Sequence, residues 1–241
     1  MIKTRSSYVY ILSVVTTIII LTYLQWSIGL KFGDPDGYYH LAMANLWKQG
    51  LVSTSFPWLQ GTVLSNSFAD QHFLLHILLI PFNSIYLGKT FIVLAGVCCI
   101  LSFTWLLKTL KTSWIPFWIP LLLLASPEFL FRLNLLKAEV LGLALLFLII
   151  ISYINKKNLW LFLLSIASVL LYSGSMVVLP LIVLICSVTE SIHEKKLLWK
   201  PFIVLLSGVG LGILLHPQHT KLIQVVFAQL QVLNYKQFGI T

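Results

Sequence analysis

Residues 8–40 read YVYILSVVTTIIILTYLQWSIGLKFGDPDGYYH. The stretch from Tyr8 to Leu30 carries no charged residue. As a helix it extends about 34 Å at ~1.5 Å per residue, enough for the ~30 Å hydrocarbon core of a bilayer. Two acids then follow around one proline, Asp34-Pro35-Asp36. The chain has 7 acidic residues against 16 Lys and Arg. Carboxylates in or near hydrocarbon are costly and tend to be kept for a function. Met1-Ile2-Lys3-Thr4-Arg5 is a basic flank ahead of the apolar stretch. A signal peptide has a shorter apolar core and a small-residue cleavage site, so this segment is expected to stay as an anchor.

Outward from that stretch, the chain of 241 residues is 59% hydrophobic, with a mean hydropathy of +0.94. A soluble domain of this size does not bury that much apolar surface, which points to a polytopic membrane protein. The net charge of +9 forms no nucleic-acid-binding stripe. Lys and Arg sit in small clusters between apolar runs, as cytoplasmic loops require. No nucleic-acid partner is expected. Cys98, Cys99 and Cys186 all lie inside apolar runs, where free cysteine behaves as a small buried hydrophobe. Their spacing shows no disulfide framework and no metal motif.

Apolar runs recur at 8–30, 72–87, 90–107, 114–126, 138–154, 159–172, 176–188 and 201–216. The expected fold is all-α, a polytopic integral membrane helical bundle of about 7–8 membrane helices. The polar interruption at 31–71 is expected to be an outer loop carrying a short amphipathic helix over 36–49. Asp36 suits its N-cap and Gly50 its C′ position. Tyr39, Met43, Leu46 and Trp47 recur at helical spacing and suggest a helix lying along the membrane face.

The basic clusters are Lys3/Arg5, Lys108/Lys111, Lys156/Lys157 and Lys195/Lys196/Lys200. Placing all four in the cytoplasm, N-terminus included, fixes the topology. It requires that 72–87 stay on the outer face as a juxtamembrane or re-entrant helix. That run is short and holds Pro81 and Asn83. Asp34, Asp36, Asp70, Glu128 and Glu139 then share the outer side, and 159–172 with 176–188 form a hairpin turning at Tyr172-Ser173-Gly174-Ser175. Glu190 and Glu194 fall in a lysine-rich cytoplasmic loop, where solvated charge suffices. Residues 1–216 are expected to form the transmembrane module. Residues 217–241 form an outer-face amphipathic tail, with Leu222, Val225, Phe227 and Leu230 on its apolar side, that continues into further spans.

Three constellations can carry chemistry. In an extended segment Asp34 and Asp36 point to the same side and can approach one metal or one substrate; a helix cap plus a loop acid is the plainer alternative. Arg132 and Glu139, seven apart on a helix, share a face and can present a phosphate ligand and an acid to one cavity. A snorkelling Arg with a capping Glu competes with that. In Asp70-x-His72-x-x-x-His76 two histidines share a helix face and Asp70 can orient either one. Interfacial hydrogen bonding is favoured there over metal binding.

Together these pieces resemble the GT-C superfamily of membrane glycosyltransferases, and its N-terminal module in particular. The order is the same: a first span, an outer loop opening with acid–x–Asp and an aromatic-rich helix, and later an Arg with an acid seven residues on. Asp34-Pro35-Asp36-Gly37-Tyr38-Tyr39-His40-Leu41-Ala42 resembles the first acidic motif of oligosaccharyltransferase catalytic subunits, with Asp36 at the catalytic position. Residues 126–139 resemble the second, with Arg132 and Glu139 at its basic and acidic positions. Asp70-Gln71-His72-Phe73-Leu74 is similar to the His-containing start of the next helix in protein O-mannosyltransferase-like and lipid A glycosyltransferase-like relatives. Two departures stand out. The second motif has a single glutamate at its end where oligosaccharyltransferases carry a fuller acidic set. The sequence stops before the later spans and the soluble outer domain that many relatives carry, as expected of the N-terminal module of a longer protein.

The resemblance implies an inverting glycosyltransferase in a multi-pass protein of the bacterial inner (plasma) membrane. It moves a sugar from a polyprenyl-phosphate-linked donor to a lipid, glycan or protein acceptor at the outer face. Asp36 and Asp34 are its expected catalytic carboxylates, with Asp36 the base. Arg132, Lys137 and His72 are expected at the lipid phosphate. If a divalent metal (Mg or Mn) takes part, Asp34, Asp36 and Glu139 are its expected ligands. The alternatives are a non-catalytic membrane transporter, which would carry charges at mid-span and internal repeats, and an inactive GT-C-like scaffold subunit.

Overall fold

The computed structural model describes residues 2–51, 54–56, 60–61, 65, 68–124 and 126–231. Among them, every regular element is helical. The order is α1 (Ile2–Ser27), α2 (Asp36–Lys48), α3 (Phe73–Leu79), a 3-10 turn (Ile80–Phe82), α4 (Ile85–Thr109), α5 (Ile115–Leu124) and α6 (Pro127–Leu133). There follow α7 (Ala138–Ile154), α8 (Asn158–Leu171), α9 (Ser175–Glu194), α10 (Lys200–Leu215) and α11 (His219–Gln231).

Three helices are long and apolar enough to cross a membrane: α1 over Tyr10–Ser27, α4 and α9. The number rises to 5 if two bent pairs each count as one span, α5 with α6 at 90° and α10 with α11 at 116°. The helix α7, with 17 residues, and α8, with 14, are apolar but shorter. Length and composition thus support three to five crossings, fewer than the apolar runs suggest.

Local chemistry explains where the helices break. Pro81 lies in the 3-10 turn after α3, and Ser84 then caps α4, its hydroxyl accepting the Leu87 N–H at 3.3 Å. Ser126 caps α6 in the same way for Phe129, at 3.4 Å, with Pro127 in the first turn. Asp36 does not cap α2, contrary to expectation. Pro35 holds that position, and the Asp34 carboxylate accepts the Gly37 N–H at 3.3 Å. Gly50, at φ +72°, does sit just past the helix end, in the left-handed conformation that glycine favours.

Contacts at both ends of α1 show that α4 runs antiparallel to it. Near the start of α1, the Lys108 ammonium sits 3.5 Å over the Tyr10 ring. At its far end, the fully buried Lys89 donates to the carbonyls of Gln25 and Gly29, satisfying acceptors that a helix C-terminus leaves open. The two helices press so close that a Cβ on Gly96 would lie 2.3 Å from Leu21. The chain therefore reaches the far end through α1, stays there through α2 and α3, and returns through α4. With ten residues, Phe73–Phe82 is too short to cross.

The remaining helices continue this alternation. The turn after α6 meets the end of α1, the Gln25 side chain donating to Asn134 O at 2.7 Å. The end of α7 meets α9, the Tyr153 hydroxyl donating to Glu190 at 2.6 Å. The end of α8 meets the loop before α3, the Ser173 N–H donating to Gln71 O at 3.1 Å. The end of α10 also meets that loop, at Asp70. One core runs through α1, α3, α4, α5 and α7 around Leu21, Leu75, Ile100 and Leu136; a second joins α7 to α10 around Ile149, Leu161 and Leu205. Between α8 and α10 the spacing Gly208-x-x-x-Gly212 permits close approach. A Cβ on Gly208 would lie 2.6 Å from Phe162 O, and one on Gly212 would lie 3.0 Å from Val169.

Candidate functional site

The segments expected on one side of a membrane meet at one end of the bundle. There, Phe32 is wedged between α2 and α4. A Cβ on Gly37 would stand 2.6 Å from its ring, and one on Gly88 would stand 2.9 Å away. The Phe32 N–H donates to the Tyr38 hydroxyl at 3.3 Å. The glycine of the Asp-Pro-Asp-Gly stretch thus lets the first turn of α2 settle on Phe32, which fixes where the two acids point.

They point at Lys137. Its ammonium lies 2.7 Å from an Asp36 oxygen and 3.1 Å from an Asp34 oxygen. Lys137 is extended, at φ −137° and ψ 154°, immediately before α7. The Gln25–Asn134 bond ties its turn to the end of α1. Burial works against the charged form of Lys137, but the hydrogen bonds it donates to Asp36 and Asp34 outweigh it and the pKa rises. The Asp36 side chain is 55% exposed and the Asp34 side chain 15%. Asp36 is the reachable member of the pair.

Arg132 lies in α6 and Glu139 in α7, so they do not share one helix face as expected. The break at 134–137 brings them together instead. The Arg132 guanidinium donates to Glu139 at 3.0 Å and to Glu128 at 2.9 Å, and all three side chains are exposed. Beside Glu139, a cleft of about 210 Å³ runs between α7 and α9, lined by Gly142, Leu146, Tyr172 and Leu179 among others. A larger apolar cavity of about 620 Å³ lies on the other side of α7, bounded by Leu78, Trp105, Leu145 and Leu171 among others.

Behind the acid pair is a buried polar chain. Asp70 and His76 are 1% and 0% exposed, and the Asp70 carboxylate meets His76 Nδ1 at 2.7 Å. His76 Nε2 lies 2.8 Å from Nδ1 of His40. Asp70 also accepts from Trp47 Nε1 at 2.6 Å and from the His72 N–H at 3.0 Å. Burial raises the Asp70 pKa, but these bonds reverse the shift and it falls below the usual carboxylate value. Asp70 therefore orients His76 and not His72. Burial, together with the neighbouring His76 and His72 rings, pushes His40 down to about 2. Burial and His76 push His72 down to about 4, while Asp70, Glu139 and Asp36 oppose that shift. The His72 ring stacks on Tyr172 at 5.6 Å. Burial, Asp70 and Asp36 raise the pKa of Tyr39.

No protein-family model, curated protein or solved structure matches this chain. What the site can do rests on its own geometry.

That geometry joins Asp34 and Asp36 to Lys137, and Arg132 to Glu139. Both groups bear electrostatically on His72, through Asp36 and Glu139. Among the described residues, no group of three or more His, Cys, Asp or Glu could hold a metal ion. The Lys137 ammonium occupies the point between the two aspartates, and Glu139 is engaged with Arg132. A divalent cation held by Asp34, Asp36 and Glu139 would have to displace both. The sequence left Lys137 as a phosphate ligand and missed its pairing with the acids. It also missed His40, although His40 stands one helical turn after Asp36, at the spacing where side chains are neighbours.

Proposed function

We propose that this chain is an inverting glycosyltransferase. It moves a sugar from a polyprenyl-phosphate-linked donor to an acceptor at the outer face of a membrane. One observation carries the proposal: Lys137, in the second motif segment, binds both acids of the first. Two stretches that resemble the halves of a GT-C active site, far apart in sequence, thus meet at one end of the bundle. The same resemblance suggests a GT-C-like bundle in a bacterial plasma membrane, with about seven of its apolar runs crossing the bilayer.

In this mechanism Lys137 holds one oxygen of Asp36. The other oxygen makes no hydrogen bond among the described residues and accepts the proton of an acceptor hydroxyl. The oxygen freed in this way attacks the sugar C1 from the face opposite the lipid phosphate. The C1–O bond breaks, and the phosphate leaves with the electron pair. Arg132, 52% exposed, meets that charge by exchanging a carboxylate partner for the phosphate. The cleft beside Glu139 leads from this point into the apolar body, as a lipid-linked donor needs. No step uses a metal. In a reconstituted transfer assay Asp36→Asn abolishes turnover while the protein stays folded; turnover at the wild-type rate would sink the assignment.

A second reading, an inactive scaffold subunit, has one observation in its favour: Lys137 and Arg132 already neutralise the acids of both motifs. Turnover by the wild-type chain separates the two.

A further inference from the structure

The buried chain Asp70–His76–His40 takes no part in the mechanism above, and an anchoring role accounts for only part of it. Trp47 already ties α2 to Asp70 at 2.6 Å. A second tie between α2 and α3 through two buried imidazoles is a costly way to repeat that task, because each ring nitrogen must find a partner or stay accessible. The proton inventory is also directional. Asp70 is ionised and accepts from Trp47 Nε1, the His72 N–H and His76. An ionised carboxylate only accepts, so His76 carries its proton on Nδ1. A neutral His76 then accepts at Nε2, and His40 donates to it from Nδ1 across 2.8 Å. Nε2 of His40 is left as the basic end of the chain, with no hydrogen bond among the described residues.

We propose that Asp70, His76 and His40 form a proton relay serving the acid pair Asp34 and Asp36, with His40 as its exchanging end. This rests on the glycosyltransferase reading for the source of the proton, the acceptor hydroxyl by way of Asp36. The transfer balances in two moves. Asp36 releases the proton it has taken, and an N–H bond forms at His40 Nε2. The Nδ1 proton of His40 crosses to His76 Nε2. His40 is left neutral in its other tautomer, and His76 becomes an imidazolium against the Asp70 carboxylate 2.7 Å away. The positive charge thus rests at the one histidine paired with a buried anion. Asp36 returns to its ionised form, and once the product has left the relay empties by the reverse moves: the Nε2 proton of His76 returns to His40 Nδ1 as His40 gives its Nε2 proton back to Asp36, which at 55% exposure passes it to water.

The groups facing the relay fit that role. On α2 they are Tyr39, its ring 5.9 Å from that of His76, and Asp36, one helical turn before His40, which bears on Tyr39 and His72. Beside α3 stands His72, its ring 5.2 Å from that of His40. Lys137, before α7, bears on His40 and disfavours charge there; Glu139 bears on His72. Behind Asp70, His216 of the α10–α11 bend binds the Asp70 carbonyl at 2.9 Å.

The test uses the full chain in lipid nanodiscs with 15N-labelled histidine. As the pH is lowered, the NMR signals of His76 should change to those of an imidazolium. In the same step His40 should switch from the Nδ1–H to the Nε2–H tautomer without becoming charged. A His40 that keeps its tautomer through the His76 step, or that charges by itself, overturns the relay. So does a His76 that takes up no second proton while the protein stays folded. In Asp70→Asn the His76 step should be lost; if that variant fails to fold, His40→Gln takes its place. His40→Gln should lower kcat by ~100-fold, as loss of a proton-transfer group does, with KM unchanged, whereas an anchor lost from α2 would lower the folded yield and leave kcat per folded molecule as it was. The NMR result stands whether or not the chain transfers sugar, so failure of the relay and failure of the enzyme reading are told apart.

Discussion

Replacing Lys137 with methionine keeps its length and apolar stem and removes the charge between Asp34 and Asp36. Distance alone ranks the Asp36 contact first, at 2.7 Å against 3.1 Å for Asp34. Exposure reverses that order. Asp34 is 15% exposed and Lys137 23%, so that pair is poorly screened. A hydrogen bond between such groups is worth about 2 kcal/mol. Asp36 is 55% exposed, and water screens its pair down to about 0.5 kcal/mol. Lys137→Met should therefore cost about 2–3 kcal/mol in total. A double-mutant cycle separates the arms: coupling of about 2 kcal/mol with Asp34→Asn and at most about 0.5 kcal/mol with Asp36→Asn. Thermal unfolding of the detergent-solubilised chain, followed by circular dichroism, reads both. Additive losses, or a stronger coupling to Asp36, would refute the placement of Lys137 between the acids.

Three further predictions concern the fold and its pH dependence. His40 and His72 have depressed pKa values, near 2 and near 4, so their contribution is complete above the unfolded value of about 6.5 and is lost as pH falls toward the folded values. Between about pH 6.5 and pH 5.5 each should remove about 1 kcal/mol; stability that is flat or rising over that interval contradicts their burial as neutral rings. Lys89→Met should cost about 3 kcal/mol by leaving the carbonyls of Gln25 and Gly29 without their donor, and an unchanged melting temperature would exclude that cap. Gly208→Ala should cost about 1–3 kcal/mol, because its Cβ would meet the Phe162 carbonyl at 2.6 Å. Gly210→Ala, which meets nothing within 4 Å, should cost nothing, and equal losses at the two positions would refute the α8–α10 packing.

The helical class was legible because apolar runs with little charge have few other ways to satisfy their backbone. Placing the positive clusters on one side led to the expectation that the segments of Asp34, Asp70, Lys137 and Tyr172 share the other, and the fold does bring these four to one end of the bundle. The breaks were harder to read. Arg132 and Glu139 look like one helix face in sequence, yet the turn at 134–137 interrupts it, and only the fold shows that the turn restores their contact. Lys137 could not be paired with Asp34 and Asp36 from spacing, since nothing local links the first outer loop to the start of α7. His40 was hidden for the same reason: its partner His76 lies on another helix, and a histidine inside an aromatic-rich segment gives no sign of it. Asp70 illustrates the converse. Its spacing to His72 and His76 was visible, but which of the two it orients depends on how α3 packs against Trp47.

Sugar transfer by the reconstituted full chain is the most direct test of the central claim. A polyprenyl-phosphate donor carrying a labelled sugar is supplied at one membrane face, with a hydroxyl acceptor, and release of free polyprenyl phosphate is followed together with the anomeric configuration of the product. The wild-type chain is expected to release the lipid phosphate and invert the anomeric centre, and Asp36→Asn to do neither. A folded wild-type chain that binds the donor and leaves it intact would contradict the account and favour the scaffold reading.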